Sequence, residues 1–369
     1  MPKVGAMRTN RLSALLITIP LVLAACGGSS DDADAPATTE GASTTEPTTS
    51  DAPASTDPSD TTIAVPPREE RSPLSPSTLT AGPITVTASA CEIDGVETGD
   101  GSADVDDFDL TASHVFLPLE NGVAALSYTS GPECAMSLDA AIGDGGILST
   151  EYAPEGVAAS STGRVAVPTL FGLTVFDLVA GQSYECGDPT GDVDIKDDGT
   201  EILSYWSGSP IERYSLSDTT CTFVGELALP SDFVDWKYVA YDGSDVFLGA
   251  EDSAGTTFAS RVANDAVQWK VGNPDVGTQG WFGWVHGMSP CGTGYCVIDT
   301  NTDKLSVLDT AGTIRAEFAV SELIGSRLFY YQMRPAPDGS VYVLATDSLD
   351  DGTGGRYQVI EIVRFEVTG

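Results

Sequence analysis

The side chains in this sequence best suited to hold a ligand are aromatic and acidic. Trp206, Trp236, Trp281 and Trp284, with Tyr330 and Tyr331, alternate along the second half of the chain with Glu251, Asp252, Asp347, Asp350 and Asp351. Aromatic faces beside carboxylates bind sugars by stacking and hydrogen bonding, or cationic groups through ring quadrupole and charge. The plainer use of such rings is packing, because Trp is commonly buried for its area alone. Chemistry that makes or breaks bonds is harder to find. His114 and His286 are the two histidines, and neither accompanies a Gly-x-Ser-x-Gly elbow or another nucleophile motif. The sequence has no phosphate-binding glycine loop and no dinucleotide fingerprint. The runs Asp104-Val-Asp-Asp-Phe-Asp109 and Asp192-Val-Asp-Ile-Lys-Asp-Asp-Gly199 invite calcium. Neither matches an EF-hand loop, and the second ends in a turn-forming Asp-Gly, so both read as solvated turns. No cofactor is expected, with calcium as the alternative.

Cysteine chemistry points to cross-linking. Beyond Cys26 the chain holds Cys91, Cys134, Cys186, Cys221, Cys291 and Cys296, an even set that reads as three disulfides in an exported protein. Six cysteines allow 15 pairings, and sequence neighbours are the expectation. Cys291 and Cys296 flank a hairpin-like Gly-Thr-Gly-Tyr; their rival use with His286 as a metal site is disfavoured by an oxidising compartment and by the shortage of histidine.

The elements that would position these residues are hairpins. A turn-then-strand signal returns at Ser113, Gly163, Asp198, Gly243, Gly294 and Asp338, each followed by a second strand after a short polar turn. These starts are 35 to 51 residues apart. Gly, Asp, Asn and Ser between β-branched and aromatic runs supply the positive φ and side-chain bonds of such turns. No long run shows a helical apolar period. The repeat resembles that of NHL-type, WD-repeat-like and quinoprotein-like β-propellers, notably in Thr174-Val-Phe-Asp-Leu-Val-Ala-Gly181 and Ser306-Val-Leu-Asp-Thr-Ala-Gly312. The resemblance covers most of Gly82 to Gly369; with the six returns of the repeat and the missing helical period it gives an all-β, six-bladed propeller, a seven-bladed ring or a sandwich pair being the alternatives.

The last unit runs out of chain after three strands, whereas Pro83 to Ala90 is an alternating strand without a unit. Pairing the two would close the ring and remove its open edge. Cys186 and Cys221 would then fall on the outermost strands of adjacent blades, where their Cα atoms risk exceeding the ~7 Å limit for a bridge. In such a ring, four of the five tryptophans and the acids named above gather toward one mouth.

Residues 1–25 carry Lys3, Arg8 and Arg11, no acid, and a 14-residue apolar run from Leu12 to Ala25. That run is shorter than the ~20 residues a membrane span needs, and reads as a secretory signal peptide. Leu23-Ala24-Ala25-Cys26 resembles the lipobox of bacterial lipoproteins, which implies cleavage ahead of Cys26 and a diacylglyceryl group on its thiol. Residues 26–77 then form a lipidated N-terminus and a Ser, Thr, Pro and Asp-rich stalk, too apolar-poor to fold and able to span roughly 40 Å. Residues 78–369 form the propeller domain.

That head holds 44 acids and 12 bases. Nucleic acid and anionic lipid surfaces are therefore excluded as partners. The expected protein is extracytoplasmic, anchored to the cell membrane by lipid. It would act without catalysis, as a binding or scaffold module for a glycan, a small molecule or an envelope protein. The alternative is a carboxylate-dependent hydrolase or lyase acting on a carbohydrate or lactone, with two carboxyls roughly 5 to 9.5 Å apart.

Overall fold

A computed structural model describes residues 74–94, 107–187, 191–206, 208–325, 329–350 and 356–369. The expected signal peptide, Cys26, most of the expected stalk and Asp351 lie outside the described residues. What is described is all-β, with Val320–Ile324 as one short helix among the described residues. The strands form a propeller-like arrangement of four four-stranded blades and one larger, nearly closed sheet.

Each four-stranded blade is an antiparallel meander. The blades are Ala158–Ala159, Arg164–Thr169, Gly172–Asp177 and Gln182–Glu185; then Asp192–Ile195, Glu201–Tyr205, Glu212–Ser217 and Thr220–Glu226; then Phe233–Asp242, Asp245–Asp252, Thr257–Ala263 and Ala266–Val271; then Val285–Cys291, Gly294–Asp299, Lys304–Leu308 and Ile314–Ala319. The turn between the first and second strand of a blade is where the sequence repeat is read. In the second of these blades Gly199 sits there with φ of 70°, and a Cβ on it would come within 2.2 Å of Thr162 Oγ1. Asp198 completes that turn by accepting the Thr200 amide through Oδ1 at 3.0 Å. Gly339 holds the equivalent place after Asp338 with φ of 80°.

Burial follows strand position within a blade. Second strands are apolar on both sides, as in Val165–Ala166–Val167 and Val246–Phe247–Leu248, because a neighbouring sheet covers each face. Outermost strands such as Gln182–Glu185 and Thr220–Glu226 are largely exposed and polar. The core is thus a series of layers between consecutive sheets. Val175 and Leu173 meet Val193, Ile202 and Leu216; Leu203 and Tyr205 meet Val239, Leu248 and Phe258; Phe247 and Trp269 meet Val297 and Tyr295. Each fully buried Val, Leu or Phe contributes roughly 1.5–3 kcal/mol, so the blades stabilise one another rather than themselves.

The ten-stranded sheet joins the two ends of the chain. Its order is Phe329–Pro335, Val341–Asp350, Arg356–Thr368, Ile84–Asp94, Ala135–Leu138, Gly122–Thr129, His114–Leu119 and Asp109–Leu110, with Ser77–Ala81 and Ile147–Ser149 as side branches. The strand Ile84–Asp94 supplies the junction. Its residues Thr85 to Cys91 pair antiparallel with the C-terminal strand, and Glu92 to Asp94 pair parallel with Ala135–Leu138. The expected partnership of N-terminal strand and C-terminal unit is therefore present, running to Cys91, and the strand itself continues to Asp94 rather than ending at Ala90.

The cysteines join in the neighbour pairs expected. Cys91–Cys134 lies at the junction just described, with Cα atoms 4.8 Å apart, and Cys291–Cys296 closes its hairpin at 5.7 Å. Cys186–Cys221 links the outer edges of adjacent blades at 5.1 Å, well inside the limit that made this pair doubtful on geometric grounds.

Candidate functional site

A cavity of about 440 Å³ opens at the finishing ends of the innermost strands. Its wall takes Asp109 and Leu110, Ala159, Asp194 and Ile195, Tyr238, Ala240 to Gly243, Met288 and Pro290, and Met333 to Pro337. Every sheet contributes, because inner strands converge where the blades meet.

At its base lies Arg334, only 4% exposed. Its Nε donates to Asp109 Oδ1 at 3.0 Å and to the Phe108 carbonyl at 3.2 Å, and Nη1 donates to the Tyr238 hydroxyl at 3.2 Å. Its Nη2 stands 3.7 Å from Asp107 Oδ1 and 3.8 Å from Asp194 Oδ1. Tyr238 passes its own proton to the Met288 carbonyl at 2.9 Å. One guanidinium thus engages elements from both ends of the chain and from two blades between.

Backbone amides hold the acids in place. Asp107 accepts from Phe108 at 2.7 Å and Val157 at 2.8 Å; Asp109 accepts from Leu110 at 2.8 Å and Ala159 at 2.7 Å. Asp194 Oδ2 accepts the Tyr241 amide, and Asp192 accepts the Tyr205 hydroxyl, which in turn accepts the Val239 amide at 3.2 Å. Charge balance is unequal, since three buried carboxyls, Asp107, Asp109 and Asp194, share one cation, with the half-buried Asp192 beside them. Burial pushes Asp109 and Asp192 above the ordinary carboxyl range despite Arg334, and pushes Asp194 up to about 7. For Arg334 burial opposes the charge, yet Asp109, Tyr238, Asp194 and Asp107 outweigh it and keep the guanidinium protonated. A carboxyl poised near neutrality inside a cleft can exchange a proton or take a cation, which is the usual mark of a functional position.

These acids correct the reading of the Asp-rich runs as solvated turns. Asp107, Asp109 and Asp194 are 3–5% exposed, on or directly beside inner strands. Among the described residues of the two runs, the tail of the second, at Asp198-Gly199, is a turn. The signal that could have found them is Asp-x-Asp, present as Asp107-Phe-Asp109 and Asp192-Val-Asp194, because a two-residue period in a strand places both acids on one face. Among the described residues, no three His, Cys, Asp or Glu side chains stand so as to hold a metal ion.

The aromatic and acidic residues singled out from sequence lie at the opposite, starting ends of the inner strands or in nearby loops. Trp206 is 55% exposed, and the half-buried Trp236 donates its indole N–H to the carbonyl of Ser209 in the turn that Trp206 begins. Trp284 is half-buried, with Lys237 Nζ 4.0 Å from its ring centre and His286 stacked at 5.5 Å. Trp281 is half-buried before the same strand.

Asp252 accepts from Lys270 at 2.9 Å and from the amides of Ala254 and Thr256, so it closes its own loop. Glu251 faces Asp235 across the strand pair, and Asp347 is half-buried on Val341–Asp350. Asp350 ends that strand, and Tyr330 and Tyr331 belong to Phe329–Pro335; these three side chains are outside the described ones. The structure links Trp206 to Trp236 and seats Lys237 on Trp284.

A second cavity, about 470 Å³, lies beside Ala141 to Asp144 and Phe176 to Leu178. Its Asp177 is spent on the amides of Val179 and Ala180 and on Arg164, so no comparable set of polar groups converges there.

No family model and no curated protein matches the chain. Among solved structures it is similar to a structural genomics protein of unknown function from Bacteroides thetaiotaomicron VPI-5482, at 12% identity over 77% of this chain and 76% of that one, with a TM-score of 0.44.

Proposed function

We propose that this chain is an exported lipoprotein, cut ahead of Cys26, whose six-bladed propeller is held outside the membrane to bind a small polar ligand in its central cavity. The ten-stranded sheet then counts as two blades, one ending at the strand Ile84–Asp94 and the other starting at Ala135–Leu138, sharing an edge through three parallel residues. The observation that carries the binding reading is Asp194, buried in the cavity wall beside Arg334 yet tied by a single amide. A pre-formed cleft with a few convergent polar groups is the usual form of such a site.

Two measurements test this reading. A thermal-shift screen of sugars, polyols, amines and small acids on the folded chain should yield a ligand whose effect disappears in Asp194→Asn; a ligand at 100 times its dissociation constant adds about 2.7 kcal/mol. No effect from any class, or one indifferent to Asp194, refutes the cavity. Metabolic labelling with a fatty-acid analogue should mark the full chain and not Cys26→Ser, and equal labelling refutes the anchor. Asp194, held up to about 7 chiefly by burial, favours a second reading, a carboxyl-dependent hydrolase or lyase, which requires turnover of a sugar or lactone that Asp194→Asn abolishes.

A further inference from the structure

The charges around the cavity also select the class of ligand, an inference that rests on the cavity being a binding site. Asp109, Asp194, Asp197 and Asp242 reach its wall against one guanidinium, Arg334. That guanidinium is largely spent, with Nε on Asp109 and Nη1 on Tyr238. Asp242 is matched from outside the wall by Arg261 at 3.2 Å, and Asp197 takes the Ser161 amide at 3.3 Å. Asp194 is different. It is 5% exposed, its Oδ2 is occupied by the Tyr241 amide, and among the described residues its Oδ1 receives no hydrogen bond, with Arg334 Nη2 standing 3.8 Å away. An acceptor without a hydrogen bond, on a buried side chain in the wall of a cavity, is where a ligand's donor belongs.

We propose that the cavity takes a small organic cation, its ammonium group set against Asp194 and its carbon skeleton against Tyr238, Tyr241 and Pro290. An anionic ligand would meet the surplus of carboxylates, and the only cation there is already engaged. A metal ion lacks a third ligating side chain among the described residues. A neutral polyol fits the volume but gains nothing from the charge. An organic cation uses both the volume and the charge of the wall, since an ammonium group beside a carboxylate gains a charge-assisted contact that a neutral ligand of like size lacks.

The experiment is calorimetric titration of the full folded chain with choline, putrescine and benzylamine, each beside a neutral match such as 3,3-dimethylbutan-1-ol for choline. At least one amine should bind about tenfold or more tightly than its neutral match, the scale of a charge-assisted contact. Asp194→Asn should abolish that preference, whereas Glu322→Gln, on an exposed helix position, should keep it. The neutral comparison on the unaltered chain stands even where the Asn variant folds poorly. Equal binding of amine and neutral match, or an amine preference that survives in folded Asp194→Asn, overturns the proposal. Binding of a sugar alone, lost in Asp194→Asn, overturns the cation class and leaves the cavity reading intact. Absence of binding by all amines, sugars and neutral matches overturns both.

Discussion

Replacing Arg334 with Met tests the central network most directly. The guanidinium is 4% exposed and makes close contacts at 3.0, 3.2 and 3.2 Å, so its loss strands Asp109 and weakens the hold on Asp107 and Asp194. Breaking one side of a buried ion pair destabilises by about 3–5 kcal/mol, because the partners are left as uncompensated charges. In a domain of this size that lowers the melting temperature by roughly 10 °C. The loss has a pH signature. Without the cation the stranded carboxyls favour their protonated forms in the folded state, so their folded pKa values rise. A raised folded pKa in an acid means stability present at low pH and lost as pH climbs through the shifted value. The deficit of Arg334→Met should therefore be largest near pH 8 and smaller near about pH 5. Urea titrations at both values measure it. Arg315→Met is the contrast, since Arg315 is 53% exposed and 3.6 Å from Asp309, a pair worth at most about 1 kcal/mol. A deficit for Arg334→Met under about 1 kcal/mol at pH 8, or one equal at both pH values, would refute the assignment of Arg334 as the counter-ion of a strained acid cluster.

Asp194→Asn should change stability in a pH-dependent direction: with the native carboxyl held up to about 7 against an ordinary 3.8, the wild type loses stability between those values and the Asn variant does not, so the variant's relative stability rises with pH and levels off above about 7 in urea titrations. Gly199→Ala should cost more than Gly339→Ala, because both hold a positive φ worth about 1–2 kcal/mol but only the first drives a Cβ to 2.2 Å from Thr162 Oγ1; thermal melts of the two variants rank them. Replacing Cys186 and Cys221 together by Ser frees a 35-residue loop and should remove about 4 kcal/mol on chain entropy alone, read as a lower urea midpoint than the oxidised wild type, a gap that closes when both proteins are fully reduced.

The parts of this protein legible in its sequence are those set by local chemistry. Turn glycines announced themselves because Gly199 and Gly339 need a left-handed backbone and follow an aspartate that bonds the turn, at Thr200 in one case and Ser340 in the other. The strand from Ile84 was legible because it alternated and stood outside every repeat unit, whereas the hairpin that Ser77–Ala81 forms with it was not read. The cavity acids were not, because Asp192 and Asp194 look the same in a solvated turn as in an innermost strand. What distinguishes the two is Arg334, far along the chain, and nothing local in either segment points to the other. Tryptophan misleads for a related reason. Trp269, left out of the proposed mouth, fills the layer between two blades beside Phe247 and Tyr295, whereas Trp206 is open to solvent. A residue's bulk sets the area it can bury, and only the packing of neighbouring sheets decides whether it does.

The same residues that shape the cavity also hold the two ends of the chain together, and this links stability to binding. Arg334 sits on the last inner strand, Asp107 and Asp109 at the first, and the sheet between them is joined through Ile84–Asp94 and fastened by Cys91–Cys134. Burying three carboxyls with one guanidinium is a poor way to gain stability, since apolar residues of like volume would do as well or better. What the arrangement does is give the closing strands a register, because the arginine meets its partners only when both ends of the chain are in place. It also leaves the cluster short of positive charge. A bound cation would correct that shortage at Asp194 and so draw the ends together. The ligand's contribution to stability should then fall when Cys91–Cys134 is absent and the junction can open, and hydrogen exchange at the amides of Val86 to Ala90 would register the coupling as protection gained on binding.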